Sequence, residues 1–255
     1  MTPTALVTRP QPQADAWAAR LRAEGLAAEA LPLLAIAPAP EAAAVRAALS
    51  RLPAQALVVF VSPNAVAQAL ACAPGWAWPA GLRAAAVGPG TVAALQAAGV
   101  PAAAITAPVA PPYESESLWA LLAGQTWAGR TALIVRGDGG REWLGEQLRA
   151  AGAAVQAVQA YGRGDPVWSD AQRACAQAAL AAPAAHCWLL SSSEAVGALA
   201  RLLPGTDWAA SQAIASHARI AQAARAAGFG RVRVVPPELA AVRDALPTMH
   251  DHDSA

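Results

Sequence analysis

Residues 4–9 read TALVTR and residues 131–136 read TALIVR, and this echo, 127 positions apart, decides how the chain is organised. At the same offset LRAEG (21–25) meets LRAAG (148–152). Further on, FVSPNAVAQAL (60–70) answers LLSSSEAVGAL (189–199), and LQAAGV (95–100) answers ARAAGF (224–229), both near offset 129. Order is kept throughout, and the matches at Thr, Arg, Ser, Gly and Leu outweigh those at Ala, which are cheap in this composition. The chain therefore reads as two tandem copies of about 128 residues.

Each copy has the same grammar. A short apolar run (Ala5 to Val7; Leu133 to Val135) ends in an Arg and a Pro- or Gly-containing turn. A helix follows (about Ala14 to Glu24; about Glu142 to Ala150), stopped by Gly25 or Gly152 where a left-handed C-terminal residue belongs. A second run comes next (Leu26 to Leu31; Val155 to Ala160), then strand–helix units starting at Leu57, Leu82, Cys187 and Ser211. Short strands near Ala102 to Thr106 and Val232 to Val235 close the copies. Apolar runs of strand length alternating with helices predict an α/β fold with two parallel sheets of about five strands, each flanked by helices. Pro32, Pro38 and Pro40 mark one crossing of the chain, and Gly162, Gly164 and Pro166 an equivalent one in the second copy. Both lie inside the repeats, so the first βαβ of each copy is expected to pack with the remainder of the other. The expected domains are 1–34 plus 166–255, discontinuous, and 38–162, with linkers at 35–37 and 163–165 and a hinged cleft between them.

Composition narrows the function. Of 255 residues 74 are Ala, and the apolar fraction of 56% rests mainly on small side chains that favour helix. The 18 basic residues, all Arg, balance 17 acidic ones, too evenly for a nucleic-acid binder. The lack of Lys excludes Schiff-base, pyridoxal and Walker-lysine chemistry. Three cysteines in no recognisable spacing argue against a disulfide framework or a zinc site. The opening MTPTALVTRP is not read as a signal peptide. The uncharged run Ala84 to Tyr113 is broken by Gly88, Pro89, Gly90, Gly99, Pro101 and Pro108, and reads as strand–turn–helix rather than a membrane span. A cytoplasmic, monomeric protein without membrane contact is expected.

Ligands of open α/β sheets bind beyond the carboxyl ends of the strands. Those turns carry Thr8 and Arg9; Ser62, Pro63 and Asn64; Gly88 to Thr91; Arg136 to Arg141, with Gly137 and Asp138 among them; Ser191, Ser192, Ser193 and Glu194; and Ser216, His217 and Arg219. Hydroxyls, amides, glycines and arginines at helix starts suit an anionic ligand, although helix capping alone also asks for Ser, Thr, Asn and Gly. Tyr161, one of only two tyrosines, ends a strand at a chain crossing and is the candidate acid. Gly88-Pro89-Gly90-Thr91-Val92-Ala93 fits a loose dinucleotide pattern, but on the fourth strand and with no acidic residue closing the next one. Arg136-Gly137-Asp138 is an adhesion tripeptide out of context, His186 borders a buried strand, and His250 and His252 sit in a C-terminal tail. Neither a Ser-His-Asp set nor paired carboxylates nor a metal cluster emerges.

Six blocks in order, LVTRPQPQADAWAARLRAEG (6–25), VVFVSPNAV (58–66), AAVGPGTVAALQAAGV (85–100), LIVRGDGGREWLGEQLRAAGAAVQAVQAYGR (133–163), LLSSSEAV (189–196) and SHARIAQAARAAGF (216–229), resemble those of uroporphyrinogen-III synthases, from Leu6 to about Val235. The resemblance implies two α/β domains on a two-stranded linker, and an enzyme without a cofactor. It implies closure of linear hydroxymethylbilane to uroporphyrinogen III, with the terminal pyrrole ring inverted through a spiro intermediate and water expelled. It gives Tyr161 the part of candidate acid and places Thr91, Ser192 and Ser193 as hydroxyls near substrate. Arg9, Ser62, Asn64, Arg136, Gly137 and Arg141 become turn residues facing it. In the second copy SHAR stands where GPGT is expected, and either Ser216 or Arg219 takes that contact. Transient contact with the deaminase that makes the substrate belongs to the same expectation. The competing readings are a non-catalytic two-domain solute-binding or sensor protein, and a nucleotide-dependent enzyme built on the Gly88 loop.

Overall fold

The computed structural model describes residues 2–250. In chain order the strands are β1 (Thr4–Val7), β2 (Ala28–Ala30), β3 (Ala35–Pro38), β4 (Leu57–Phe60), β5 (Arg83–Ala86), β6 (Ile105–Thr106), β7 (Thr131–Gly137), β8 (Ala154–Gly164), β9 (His186–Leu190), β10 (Gln212–Ala215) and β11 (Arg231–Val234). The helices are α1 (Gln11–Ala23), α2 (Ala42–Ser50), α3 (Pro63–Cys72), α4 (Pro89–Ala97), α5 (Ser115–Leu122), α6 (Trp143–Ala150), α7 (Asp170–Ala181), α8 (Ser193–Leu202), α9 (Ala218–Ala226) and α10 (Leu239–Ala245). No helix among the described residues is long and apolar enough to cross a membrane.

The chain forms two compact units, Met1–Ala35 with Gly164–Ala255, and Ile36–Arg163. The first holds a five-stranded sheet in the order β11-β10-β9-β1-β2, and the second a six-stranded sheet in the order β3-β8-β7-β4-β5-β6. Read from β2 and from β8, the two orders coincide, with β3 added as an extra edge. The first sheet takes two adjacent strands from the start of the first copy and three from the later part of the second; the second sheet takes two from the start of the second copy and four, β3 included, from the first. The pairings β1–β2, β1–β9, β9–β10 and β10–β11 are parallel, as are β4–β5, β4–β7, β5–β6 and β7–β8.

The central strands β4, β9 and β10 are buried except at His186, which is why, past the polar first residues of β9 and β10, they read as apolar runs rather than alternating ones. Period two still sorts their side chains to opposite faces. In the first unit Leu6, Trp188 and Leu190 join Trp208 and Phe229 on one face, and Ala5, Val7, Cys187 and Leu189 meet Ala14, Ala18 and Leu21 of α1 on the other. In the second, Val58, Phe60, Leu133 and Val135 pack with α3, and Leu57, Val59, Ala132 and Ile134 pack with Leu118, Trp127 and Leu148. Gly25 and Gly152, at φ +82° and +95°, stop α1 and α6 in the left-handed region as the repeat requires.

Three local differences from the sequence reading matter. Helix α1 begins at Gln11, not near Ala14, because Pro12 favours the first turn. Of the stretch Ala102 to Thr106 only Ile105–Thr106 is strand, and the rest is a 3₁₀ turn. Strand β8 does not stop at Ala160 but runs on to Gly164, and residues 35–37, read as a linker, lie in β3. The glycines that suggested a break leave the ladder intact, and a β-bulge takes up the irregularity: Arg136 pairs with Gln159, but Gly137 pairs with Tyr161.

Candidate functional site

In the second unit the bulge brings a tyrosine, a serine and an arginine together. It re-aims Tyr161, which lies within β8 rather than at its end and is 2% exposed. Ser62, the N-cap of α3, reaches it from the end of β4: its Oγ lies 3.0 Å from the phenol oxygen and accepts from the Ala65 amide at 3.1 Å. Arg163, two residues along β8 and so on the same face, donates from Nη2 to that phenol oxygen at 3.2 Å. Its Nη1 donates to the Asp138 carbonyl at 2.9 Å, and the Asp138 amide donates to the Tyr161 carbonyl at 3.0 Å. A Cβ on Gly137 would lie 2.6 Å from Cε2 and Cζ of Tyr161, a distance at which the sheet or the ring would have to move. Gly137 therefore serves as the space into which the tyrosine packs.

The other candidates of this unit stand at the neighbouring strand ends. Asn64 is half-buried in the first turn of α3, and Thr91 is buried in the first turn of α4. In the Gly88 loop a Cβ on Gly88 would meet Tyr113 Cβ at 3.3 Å, and one on Gly90 would meet Pro63 at 3.5 Å. A protein contact thus accounts for Gly88, whereas a Cβ on Gly90 would make only ordinary contact with Pro63. Arg136 is ion-paired with Glu142, and Arg141 with Glu116. Arg141 also lies 5.8 Å from the Trp143 ring, and its hydrogen bond holds the Glu116 carboxyl below the usual carboxylate range. Each arginine thus already engages one carboxylate.

In the first unit Arg9, Ser191 and Ser216 line a shallow concavity beyond the ends of β1, β9 and β10. The Arg9 guanidinium lies 4.6 Å from the Trp17 ring centroid, and burial holds its pKa below the ordinary arginine value. Ser192 is occupied as the cap of α8, accepting from the Glu194 and Ala195 amides at 3.2 and 3.4 Å. Ser193 Oγ, next to it, is buried without a hydrogen-bond partner. Arg219 stands exposed on the first turn of α9, outside the lining of that concavity. Thr8 donates to the Leu189 carbonyl at 2.6 Å, a structural bond between β1 and β9. His186 Nδ1 lies 2.9 Å from the Ala182 carbonyl, and His252 lies outside the described residues.

Arg163 is the functional candidate that sequence reasoning missed. Its signal was present, an Arg two positions after the lone strand tyrosine, but the glycines on either side made the segment read as a linker. The carboxylates Glu116 and Glu142 and the ring of Trp17 were missed because pairings across a turn or between elements carry no spacing rule.

The family described as uroporphyrinogen-III synthase HemD matches residues 15–240. A uroporphyrinogen-III synthase of Salmonella typhimurium is 39% identical over 160 residues, which are 62% of this chain and 64% of that protein. That of Escherichia coli is 35% identical over 160 residues, with the same two shares. The matched stretch thus spans just under two thirds of those relatives. Among solved structures, a mutant uroporphyrinogen III synthase from the extreme thermophile Thermus thermophilus superposes with a TM-score of 0.61 at 15% identity, covering 98% of this chain and 100% of the other. Uroporphyrinogen-III synthetase from Helicobacter pylori gives 0.60 at 14% identity, with 98% and 100% covered. At those identities the likeness is one of fold.

Proposed function

The chain belongs to the uroporphyrinogen-III synthase family, and on that premise we propose that it closes hydroxymethylbilane to uroporphyrinogen III, inverting the terminal pyrrole ring and releasing water. The observation that carries the reading is the hydroxyl pair of Ser62 and Tyr161, 3.0 Å apart at a strand end. Loss of the substrate hydroxyl needs a proton and leaves a cationic azafulvene; it requires no strong nucleophile. One hydroxyl aimed at the leaving oxygen supplies that proton. Attack by the substituted carbon of the last ring, fragmentation of the spiro intermediate and reclosure then follow from how the chain of rings is held. The final aromatisation returns one proton, so water is the net product.

The substrate's carboxylates suit the arginines, hydroxyls and helix-start amides of the strand-end turns. In this reading Arg9, Ser216, Ser62, Asn64, Thr91, Gly137, Ser192 and Ser193 contact substrate. Arg136 and Arg141 do so after releasing Glu142 and Glu116, and Arg219 takes a carboxylate from solvent. The reading keeps a discontinuous domain of 1–34 plus 166–255 and a continuous one of 38–162, which the two compact units support. It places the protein in the cytoplasm as a monomer that meets the preceding deaminase transiently.

The test is to supply hydroxymethylbilane from a coupled deaminase to the purified chain and separate the product isomers. Isomer III formed well above the spontaneous rate is expected. Isomer I alone, at the spontaneous rate, overturns the reading and favours a binding protein.

A further inference from the structure

We propose that Arg163 is a positioning residue for this reaction: it fixes the direction of the hydrogen bonds so that Tyr161 donates to Ser62, and the Ser62 hydroxyl delivers the proton to the leaving oxygen. The inference rests on the synthase reading above and adds a residue and a direction to it.

A guanidinium only donates, so the 3.2 Å contact from Arg163 Nη2 makes the phenol oxygen an acceptor. The phenol has one proton of its own, and with Tyr161 buried the acceptor beside it is Ser62 Oγ at 3.0 Å. Ser62 Oγ already accepts from the Ala65 amide at 3.1 Å, and taking the phenol proton fills its second lone pair. Its own proton is then directed elsewhere. Ser62 is only half-buried, whereas Tyr161 is covered, so the serine is the outer member of the pair. A chain running Arg163 to Tyr161 to Ser62 gives the buried phenol proton an acceptor and leaves only the half-buried Ser62 proton for the ligand side. The reverse direction leaves a buried phenol proton to be placed, and buried donors are rarely left so.

Arg163 is itself held in place. Its Nη1 is anchored to the Asp138 carbonyl at 2.9 Å, the Asp138 carboxylate lies 3.9 Å away, and the guanidinium carbon is 5.4 Å from the Tyr161 ring centroid. In the step itself the C–O bond of the substrate breaks as the leaving oxygen takes the Ser62 proton. Ser62 takes the Tyr161 proton at the same time, and the negative charge arrives on the phenol oxygen beside Arg163. The proton released when the last ring regains aromaticity returns to that oxygen. Charge and protons balance, and no other reactant is needed.

The experiment compares initial rates, KM and isomer ratio for wild type, Tyr161→Phe, Arg163→Met, Arg163→Lys and the double variant Tyr161→Phe/Arg163→Met, using enzymatically generated hydroxymethylbilane, with melting curves alongside. Arg163→Met is expected to lower kcat about tenfold or more with KM changed less than about twofold and isomer III retained. Arg163→Lys, which keeps a charged donor, should recover most of the loss. In the Tyr161→Phe background Arg163→Met should cost less than about twofold further, because both changes break one chain. Additive losses, or a loss carried by KM, overturn the inference, since Arg163 then acts on substrate directly. A slowed Tyr161→Phe beside an unaffected Arg163→Met overturns it while leaving the synthase reading standing. If Arg163→Met melts far below wild type, Arg163→Lys and Arg163→Gln carry the comparison. A wild-type chain that forms no isomer III removes the synthase reading itself, and the inference with it.

Discussion

Gly137 and Tyr161 are opposite residues of a bulged parallel ladder, and the tyrosine ring fills the place where a side chain on residue 137 would be. The last residue of β7 and the candidate acid on β8 are therefore one steric unit, and the ring's position is set by the absence of a Cβ.

Gly137→Ala should destabilise the protein by about 1–3 kcal/mol, the usual cost of forcing atoms into a packed site, and displace the phenol from Ser62. Thermal melting and initial rate together report it, with activity falling more than the stability loss explains. A variant with wild-type melting and rate would show that ring and sheet adjust freely.

Arg9→Ala should raise KM by an amount equal to about 1–3 kcal/mol, the loss expected of the proposed charge-assisted bond from Arg9 to a substrate carboxylate. Arg136 differs, being held by Glu142. Glu142→Gln should lower KM by up to about fivefold by freeing it, the range of an exposed ion pair, and Arg136→Ala should raise KM. Unchanged constants in both Arg136 and Glu142 variants would assign that pair to the fold alone.

Cys187 lies fully buried in β9, and burial pushes its thiol up from 9.0 to about 12. The thiol stays protonated in the native state while the unfolded chain ionises near its ordinary value. Above that value the unfolded state binds fewer protons, so stability must fall as pH rises from 9.0 towards about 12, by at most about 1.4 kcal/mol per pH unit. Urea unfolding at about pH 8 and about pH 10 should show a larger loss for wild type than for Cys187→Ala. Equal losses would mean that the thiol is not shielded. Below about pH 9 iodoacetamide should label half-buried Cys72 and Cys175 well before Cys187.

Much of the fold was legible because the repeat puts it in the sequence twice. TALVTR and TALIVR announce β1 and β7, and each begins a βαβ whose helix stops at Gly25 or Gly152. The strand-end turns followed, since loops after parallel strands are where polar residues gather. What was not legible is pairing between distant residues. Ser62 and Tyr161 are 99 positions apart, and only the side-by-side placement of β4, β7 and β8 joins them. The course of β8 was misjudged for a local reason: Gly162 and Gly164 weaken a strand, but the Tyr161 carbonyl still pairs with the Asp138 amide. That error hid Arg163. The arginines of the β7 turn were read as facing a ligand, and their ion pairs were not foreseen, because their carboxylate partners, six and twenty-five residues away, follow no fixed rule.

The most direct test of the account is the initial rate and isomer ratio of purified Tyr161→Phe, measured beside its melting curve. Removing only the phenol oxygen leaves the ring in its Gly137 space and Ser62 and Arg163 without that partner, so a stability loss of at most about 1–3 kcal/mol is expected. The rate should fall by about 10²-fold, the contribution of a positioned acid, while the product remains isomer III because the held substrate decides which carbon attacks. An undiminished rate from a folded Tyr161→Phe would contradict the account, removing the phenol from the proton path altogether.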